Sequence, residues 1–469
     1  MESKSLFTRM LMSILMLIGF YTLAFVVILA LIITPIILSY GGSIGIAAFC
    51  FVTFYLGVIV IIFSIIPRRM KIKGRGVRLL REEQPLLFNE IEDIASSLGQ
   101  NVPDDVFVNF ELNASVTQTS GFFGFKSKRI MIIGLPLLQA LTISKFRAVI
   151  AHEFGHYYSG DTKLLPILHQ VNSVIGRTIK NLGIYNSRLL IPFAAYANLV
   201  LRITNKTSRL QEYIADRIAA KISGYKNLED ALKIVESYHF ALVSYKDFIN
   251  HLLKSFYYTE LSYGFGEFLK YPKIRALIPE MLNRSMEDKI INCKYDTHPP
   301  LCKRIEAIQG ITSNELNNDT LAISLISDIK KVEEGVLKNE VETGQFKEFR
   351  YVLWDELLVK ALIPIWMKVF EQYANSIKNI TFKELADFKN MNFRNDFITR
   401  LAECHGKELY EKEAISLSKH TLGVFITLAL LNEDWELEIY PGSDVIFKTQ
   451  SMEIKPFEFY DQITGNSLS

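Results

Sequence analysis

The chain has 469 residues, of which 49% are hydrophobic and 22% are charged, and its formal net charge at pH 7 is +2. The balance of 52 basic and 50 acidic side chains excludes the strong basic excess of a dedicated nucleic-acid-binding protein. The apolar fraction excludes global disorder, and the length corresponds to two to four domains. The mean hydropathy of +0.18 is high for a soluble protein, so the position of the apolar residues matters.

The first 67 residues are predicted to anchor the chain in a membrane. Residues 10–67 contain no charged side chain, and about 20 apolar residues suffice for one membrane-spanning helix. A turn-forming cluster at residues 39–43 divides this run, so we expect two transmembrane helices over residues 10–37 and 44–66. The run is too long for the apolar core of a signal peptide. A buried hairpin of a soluble protein is the alternative.

Basic side chains flank this apolar run on both sides. Seven lysines and arginines lie within residues 68–81, before the first acidic residue, Glu82. At the other end, Lys4 and Arg9 outnumber Glu2. Because such residues are enriched on the cytoplasmic side of membranes, a multi-pass anchor with the bulk of the chain in the cytoplasm is predicted. The basic run could also bind nucleic acid, but its position beside a span favours lipid headgroups.

The remainder of the chain is predicted to mix helices and strands. The expected elements are, in chain order, a helix at 85–99, strands at 106–112 and 129–134, and helices at 145–156 and 207–222. The apolar stretch 189–201 is short for a span and predicts a buried or interfacial helix. Helical patterns cover 319–341 and 346–378, and a strand, a turn and a strand cover 435–447.

The strongest chemical signal is the HExxH sequence at residues 152–156. On a helix, His152 and His156 lie on one face, about 6 Å apart along the axis. Both imidazoles can therefore bind one zinc ion. Glu153 is adjacent on the helix, where it can accept a proton from a water that the metal activates. A pair of solvated or core histidines is the alternative for the motif considered alone.

A catalytic zinc needs a third protein ligand, for which Glu212 is the candidate. Glu212 and Asp216 are four residues apart on a predicted helix, so they share a face. Asp216 would then orient a ligand histidine as a supporting carboxylate. Arg209 lies on the same stripe and could pair with either acid. Taken alone, such a stripe of charges is more often a solvated salt-bridge face.

Four segments together resemble the family of HtpX and the CAAX-prenyl proteases, which are membrane-embedded zinc metalloendopeptidases of the gluzincin type. The first two are AHEFGHYYSGD at 151–161 and EYIAD at 212–216. The others are LNAS at 112–115 and THPPLCKRI at 297–305. The resemblance covers roughly residues 68–310, together with the general plan of an N-terminal hydrophobic hairpin.

The resemblance implies zinc ligands at His152, His156 and Glu212, with Glu153 as the general base and acid. Asn113 and Ala114 would lie on the edge strand of the cleft, where a substrate can bind as an added strand. His298 falls on the His-Pro-Pro motif of the family, with Arg304 six residues later. A role for His298 near the site and a structural role at a helix start are equally open, because two prolines suit a first helical turn.

The predicted fold is a mainly α, membrane-anchored α+β protein with three parts. Residues 1–67 form the transmembrane hairpin. Residues 68–310 form a zincin-like metallopeptidase domain with a small active-site β-sheet. Residues 311–469 form a C-terminal accessory region that is helical and then β-containing.

The predicted function is that of a zinc-dependent endopeptidase with one Zn²⁺ per chain. It would hydrolyse membrane or membrane-proximal proteins, in quality control or processing, from the cytoplasmic side. Its partners would be polypeptide substrates and the lipid bilayer, with no nucleic acid. A catalytically inactive membrane scaffold that retains the metalloprotease fold is the main alternative, and a zinc hydrolase of non-peptide amides is a weaker one.

Overall fold

The computed structural model describes the chain in segments. These are residues 2–39, 44–65, 76–118, 128–158, 165–184, 190–288, 299–313, 317–341, 348–378, 380–406, 410–431, 433–439 and 445–464. The chain divides into two compact units. The first comprises Met1–Tyr238 and Ile278–Glu340, and the second comprises His239–Leu277 and Val341–Ser469.

Most of the described residues are helical. The helices are α1 (Glu2–Ser39), α2 (Ile44–Ile65), α3 (Pro85–Ser97), α4 (Leu135–Ala140), α5 (Ile143–Tyr158), α6 (Leu165–Ile184), α7 (Leu190–Ser223), α8 (Tyr225–Lys254), α9 (Leu261–Phe268), α10 (Pro272–Asp288), α11 (Leu301–Ile308), α12 (Ile329–Glu340), α13 (Ile363–Tyr373), α14 (Met391–His405), α15 (Glu411–Leu430) and α16 (Phe459–Thr464). The strands are β1 (Val77–Leu79), β2 (Asp105–Asn109), β3 (Ala114–Gln118), β4 (Arg129–Gly134), β5 (Tyr257–Tyr258), β6 (Arg350–Tyr351), β7 (Glu436–Ile439), β8 (Val445–Lys448) and β9 (Glu453–Ile454).

In the first unit, helices α1, α2, α6 and the beginning of α7 share an apolar core. Its buried members include Phe20 and Ala24 of α1, Ile61 of α2, Val174 of α6 and Phe193 of α7. Two side-chain hydrogen bonds join these helices: the Tyr196 hydroxyl donates to the Met16 carbonyl over 2.6 Å, and the Asn181 amide donates to Ser64 Oγ over 2.9 Å. The stretch 189–201 is therefore helical, and Phe193, Ala197 and Val200 on one of its faces are buried.

The helices α1 and α2 occupy the ranges predicted for the hairpin. Among the described residues, one helix, Ile14–Ile37, is long and apolar enough to cross a membrane, and 17% of its apolar stretch is buried. The described apolar part of α2, Phe54–Ile65, is shorter. Crossing of the membrane by both helices stays a prediction.

A four-stranded sheet in the first unit has the order β1-β2-β4-β3. Strands β2 and β4 are parallel, whereas β1 and β3 run antiparallel to their neighbours and form the edges. The strand predicted over 106–112 is observed as β2, in which Val106 and Val108 are buried as the alternation predicts, but it ends at Asn109. Helix α3 also lies where the sequence predicts it, and it packs on α5.

The second unit contains α9, α13 to α16 and two small sheets, β5-β6 and β7-β8-β9. The predicted strands near the C-terminus are confirmed as β7 and β8, which pair antiparallel. The continuous helices expected over 319–341 and 346–378 are not observed. In the second range, strand β6, a 3₁₀ turn and a π-helical turn precede α13, which begins at Ile363. In the first range, the helix is interrupted. A 3₁₀ turn, Ala322–Leu325, is separated from α12 by Asp328, whose φ of 47° breaks the helix.

Two arginines of the predicted basic run form ion pairs with acidic residues of the first unit. Arg78 lies 2.5 Å from Asp105, and Arg81 pairs with Glu92. The part of the run at 68–75 lies outside the described residues. These two arginines therefore have local protein partners, and the lipid contact predicted for the run rests on its first five basic residues.

Candidate metal centre

Helix α5 carries both histidines of the HExxH sequence on its last two turns. Phe146, Ile150 and Phe154 are fully buried and fix this helix in the core of the first unit. The rings of His152 and His156 lie 4.7 Å apart between centroids and are inclined by 83°. The helical spacing therefore brings the two imidazoles together, as the sequence predicts.

Helix α7 brings Glu212 to the same point. Glu212 Oε2 lies 3.5 Å from His152 Nε2, and Glu212 Oε1 lies 3.8 Å from His156 Nε2. Close approach of α5 and α7 depends on Gly155, because a Cβ there would lie 2.8 Å from the Ala215 Cα. A glycine between the two histidines thus lets the carboxylate of Glu212, the third candidate ligand, reach them.

The three groups fit a zinc ion by chemistry and by spacing. Two imidazole nitrogens and one carboxylate are a donor set typical of catalytic zinc. Atoms bound at about 2.0–2.2 Å to a tetrahedral metal lie about 3.3–3.6 Å apart. The carboxylate-to-nitrogen separations of 3.5 and 3.8 Å are close to this spacing.

A buried carboxylate, Asp216, supports His152 from behind. Its Oδ1 lies 2.9 Å from His152 Nδ1, and Nε2 on the other side of the ring faces Glu212. The Arg304 guanidinium donates to both Asp216 oxygens, from Nε over 2.8 Å and from Nη2 over 2.7 Å. Arg304 Nη2 also lies 3.4 Å from Glu212 Oε2. The two acids predicted from their i, i+4 spacing therefore share one arginine.

The charges of this cluster are set by burial and by the ion pairs. Burial alone would raise the pKa of Asp216, but the hydrogen bonds from Arg304 and His152 hold that pKa below its usual range. Burial opposes protonation of His152, yet the hydrogen bond to Asp216 raises its pKa. For His156, burial and the neighbouring His152 lower the pKa to about 4. His156 is therefore neutral at pH 7, the form that binds a metal.

Glu153 lies beside the histidines, and its ligand oxygen is within 4.8 Å of their ring nitrogens. The carboxylate accepts a hydrogen bond from the backbone N–H of Val116 on strand β3. Burial, reinforced by the charge of Glu212, raises the pKa of Glu153 to about 7. The edge strand and the HExxH helix thus meet at this carboxyl group.

Strand β3 presents alternate backbone groups to the Glu153 side. Ala114 pairs with Ile133, so Asn113 lies opposite Gly134, whose N–H donates to the Asn113 carbonyl over 2.9 Å. Because paired and unpaired positions alternate along an antiparallel ladder, Ala114 and Val116 direct their backbone groups away from β4. The Val116 bond to Glu153 agrees with this alternation. Asn113 is exposed and Ala114 is buried.

Two hydrogen-bonded contacts hold α5 in place. The Gln100 amide donates to the Phe154 carbonyl over 2.9 Å, between the two histidines in sequence. The Arg147 guanidinium donates to Glu90 and, over 2.5 Å, to Asp93, both on α3. These hydrogen bonds hold the HExxH helix against α3 and against the segment that follows it.

The predicted site residues differ in where the structure places them. His152, Glu153, His156, Glu212 and Asp216 come together. Arg209 is half-buried on α7. Among the described contacts, the arginine that binds Asp216 is Arg304. His298 lies outside the described residues. The roles of Arg209 and His298 at the site stay predictions.

The sequence drew attention to Arg304 without predicting its contact with Asp216. The signal was present in helix α11, where Leu301, Ile305 and Ile308 are buried and define the inward face. Arg304 follows Leu301 by three positions and therefore lies on that same face. An arginine on the buried face of a short helix predicts a buried acidic partner.

Comparison with known proteins agrees with this geometry. The family model of peptidase family M48 matches residues 82–312. A protein from Pseudomonas fluorescens named Protease HtpX is 25% identical over 247 residues, which cover 49% of this chain and 72% of that protein. A Protease HtpX from Pseudomonas paraeruginosa is 24% identical over 295 residues, which cover 58% of this chain and 88% of that protein. No solved structure matches the chain significantly.

The matched region contains the whole cluster from His152 to Arg304, including the acid on α7 and its arginine partner. Residues 82–312 therefore place the chain in peptidase family M48, together with the HtpX proteases.

Proposed function

We propose that the chain is a membrane-anchored zinc endopeptidase that cleaves membrane or membrane-proximal polypeptides. The observation that carries this proposal is the convergence of His152, His156 and Glu212, with Glu153 beside them. The first three residues would hold zinc, which when bound polarises the scissile carbonyl and acidifies a water. The family match to a peptidase supports the same reaction class.

Glu153 is the general base and acid of the proposed reaction. Its carboxylate accepts the proton of the attacking water and delivers it to the leaving amine nitrogen, so the two proton transfers balance. The Val116 N–H fixes the carboxylate on the substrate side of α5. The side chain does not need to move between the two transfers.

Asp216 and Arg304 position the ligands in this proposal. Asp216 holds Nδ1 of His152 and so directs Nε2 toward the metal position. Arg304 compensates the buried charges of Asp216 and Glu212. Arg304 thereby reduces the repulsion between these two carboxylates, of which only Glu212 would bind the metal.

The edge strand β3 is the proposed binding surface for the substrate. The outward N–H and C=O of Ala114 can pair with an extended peptide, which would extend the sheet beyond β3. The carbonyl of Asn113 already accepts a hydrogen bond from the Gly134 N–H, so it is not available to a substrate. Asn113 would therefore contact the substrate through its exposed side chain. A strand bound in this way would pass directly in front of Glu153.

The membrane position is supported by the outer surface of the N-terminal helices. Ile18, Phe25, Ile37, Phe63 and Ile191 are each more than half exposed, an arrangement suited to lipid. The proposed anchor is multi-pass, and the basic flanks favour a cytoplasmic active site. A site held near the bilayer would select membrane-associated substrates.

The test is substitution of the proposed base. Glu153→Gln should lower casein cleavage by about 10²–10⁴-fold while zinc per chain, measured by elemental analysis, stays at one. Glu306→Gln, an exposed change on α11, is the matched control and should cleave as the wild type does. A chelator should abolish the wild-type activity. Equal cleavage by Glu153→Gln would instead support a scaffold role for the chain.

A further inference from the structure

The second unit contains a cavity of about 720 Å³ outside the region matched by the peptidase family. One wall is a stripe of α13 formed by Ile363, Met367 and Phe370, and the floor is formed by Leu422, Phe425 and Ile426 of α15. Small-molecule sites commonly enclose about 300–1,000 Å³. The volume is therefore that of a site for one ligand of moderate size.

The lining excludes most polar ligands. Among the described lining residues, Thr381 alone has a polar side chain. Its hydroxyl and its backbone N–H both donate to the Glu384 carboxylate, over 2.8 and 2.7 Å. The N–H and C=O groups of an extended peptide would lose their water here without finding new partners, which is unfavourable. An alkyl chain has no such groups.

The segment that lines one side of the cavity also carries two exposed lysines. Ile377, Ile380 and Thr381 line it there, and the same segment exposes Lys378 and Lys383. Within the described part of the chain, no acidic oxygen lies within 4 Å of either ammonium group. Glu384, which follows Lys383, keeps its negative charge, because the hydrogen bonds from Thr381 lower the pKa of its carboxyl group. Neither lysine is paired with this acid, so an anion could bind at the two ammonium groups while an apolar group fills the cavity.

A third nearby cation, Arg400, is already paired with an acid. Arg400 reaches the Lys378 carbonyl over 3.5 Å, but its guanidinium pairs with Asp396 over 2.5 Å. The two lysines are therefore the groups that could hold an anionic head. The cavity is thus apolar along its length and has two lysines on one of its lining segments. This arrangement suits an amphiphilic ligand, with an apolar chain and an anionic head.

We propose that this cavity binds one long-chain fatty acid anion. Its alkyl chain lies between α13 and α15, and its carboxylate lies at Lys378 and Lys383. The volume suits a ligand with one alkyl chain, and a carboxylate matches the charge of the two lysines, so the proposed ligand is a free fatty acid. The site is separate from the metal centre, and the proposal does not depend on peptidase activity.

The test uses the full chain in phosphatidylcholine nanodiscs and a photoreactive palmitate with a diazirine near its methyl end. Crosslinks, mapped by mass spectrometry, should concentrate on α13 and α15. Unlabelled palmitate should displace the probe at concentrations at least fivefold lower than hexadecanol, which has the same chain and no charge. Lys378→Gln combined with Lys383→Gln should remove this preference for palmitate.

Two variants close the cavity in different ways. Ala429→Phe fills it from α15, and Met367→Trp narrows it from a position that is already 44% exposed, so that folding is little affected. Each should lower labelling at least tenfold. Met391→Phe, on an exposed position outside the lining, is the control and should label as the wild type does.

Three results would overturn the proposal. Labelling spread evenly over the membrane helices would mean that palmitate only follows the bilayer. Unchanged labelling in Met367→Trp, with an unchanged circular dichroism spectrum, would remove the cavity from the binding site. Displacement of the probe by an apolar helical peptide but not by palmitate would assign the groove to a protein partner.

Discussion

The two ends of helix α7 lie in contrasting surroundings within the first unit. Toward its start, Phe193, Ala197 and Val200 are buried in the apolar core shared with α1, α2 and α6. Toward its end, Glu212 and Asp216 are 3% and 0% exposed and contact histidines and an arginine. One continuous helix of 34 residues, about 50 Å long, therefore joins an apolar bundle to a buried charge cluster.

This contrast predicts how well each end of α7 tolerates amino-acid substitutions. At the apolar end, the polar group Tyr196 bonds to a helix carbonyl, so its removal leaves no charge unpaired. At the charged end, Asp216 and Glu212 share Arg304. Removal of one of these side chains therefore leaves a buried charge without its full compensation. We therefore expect effects of single substitutions to fall steeply from the metal centre toward the start of α7.

The largest effect is expected at Glu212 itself. Glu212→Gln keeps the shape of the side chain but removes the negative charge from the proposed ligand set. Zinc affinity should fall by more than the roughly 10–100-fold typical of a supporting partner. Competition with a fluorescent chelator measures this affinity, and Gln211→Glu, which restores the acid one position away, should not rescue it. Zinc binding at wild-type affinity would remove Glu212 from the proposed ligand set.

Arg304→Met should have the next largest effect, on stability. It leaves Asp216 buried with His152 as its remaining described partner, and breaking a buried ion pair costs about 3–5 kcal/mol. Lys303→Met on the same helix is the control, because Lys303 is exposed and pairs with Glu306 three residues on. Thermal unfolding in nanodiscs should show a large loss for the first variant and none for the second. Equal midpoints would show that the Asp216–Arg304 pair adds nothing to stability.

Parts of the fold follow directly from local sequence patterns. The periodic apolar residues of α5 predict a helix, and the spacing of His152 and His156 then predicts that both rings meet. The alternation in β2 predicts a half-buried strand, and Val106 and Val108 confirm it. These predictions succeed because the pattern is decided within one turn of helix or one strand.

Long-range pairing was less accessible from the sequence. Arg304 is 88 residues from Asp216, and nothing in a local pattern states which acid it meets. The continuity of α7 was also missed, because the charged residue Arg202 ends the apolar run. Helix length depends on the backbone, and no proline or glycine occurs between Pro192 and Gly224, whose φ is +79°. Polarity changed along α7 while the helix continued.

Gly155→Ala tests the close approach of the two site helices. The added methyl would meet the Ala215 Cα at 2.8 Å and its Cβ at 3.1 Å, so α5 and α7 must separate. We expect a loss of about 1–3 kcal/mol in stability, together with weaker zinc binding. Adding Ala215→Gly removes the Cβ contact and should restore part of both quantities. Unchanged zinc affinity in Gly155→Ala would show that the ligand geometry does not depend on this contact.

Tyr196→Phe should have the smallest effect. It removes the hydroxyl that donates to the Met16 carbonyl, and that carbonyl also accepts from its own helix, so no polar group is left without a partner. Hydrogen bonds between membrane helices contribute about 0.6 kcal/mol on average. Thermal unfolding in nanodiscs should therefore shift only slightly, and zinc affinity should be unchanged. A loss as large as that of Arg304→Met would break the contrast between the two ends of α7, because it would mean that the bundle holds the metal ligands in place through this one contact.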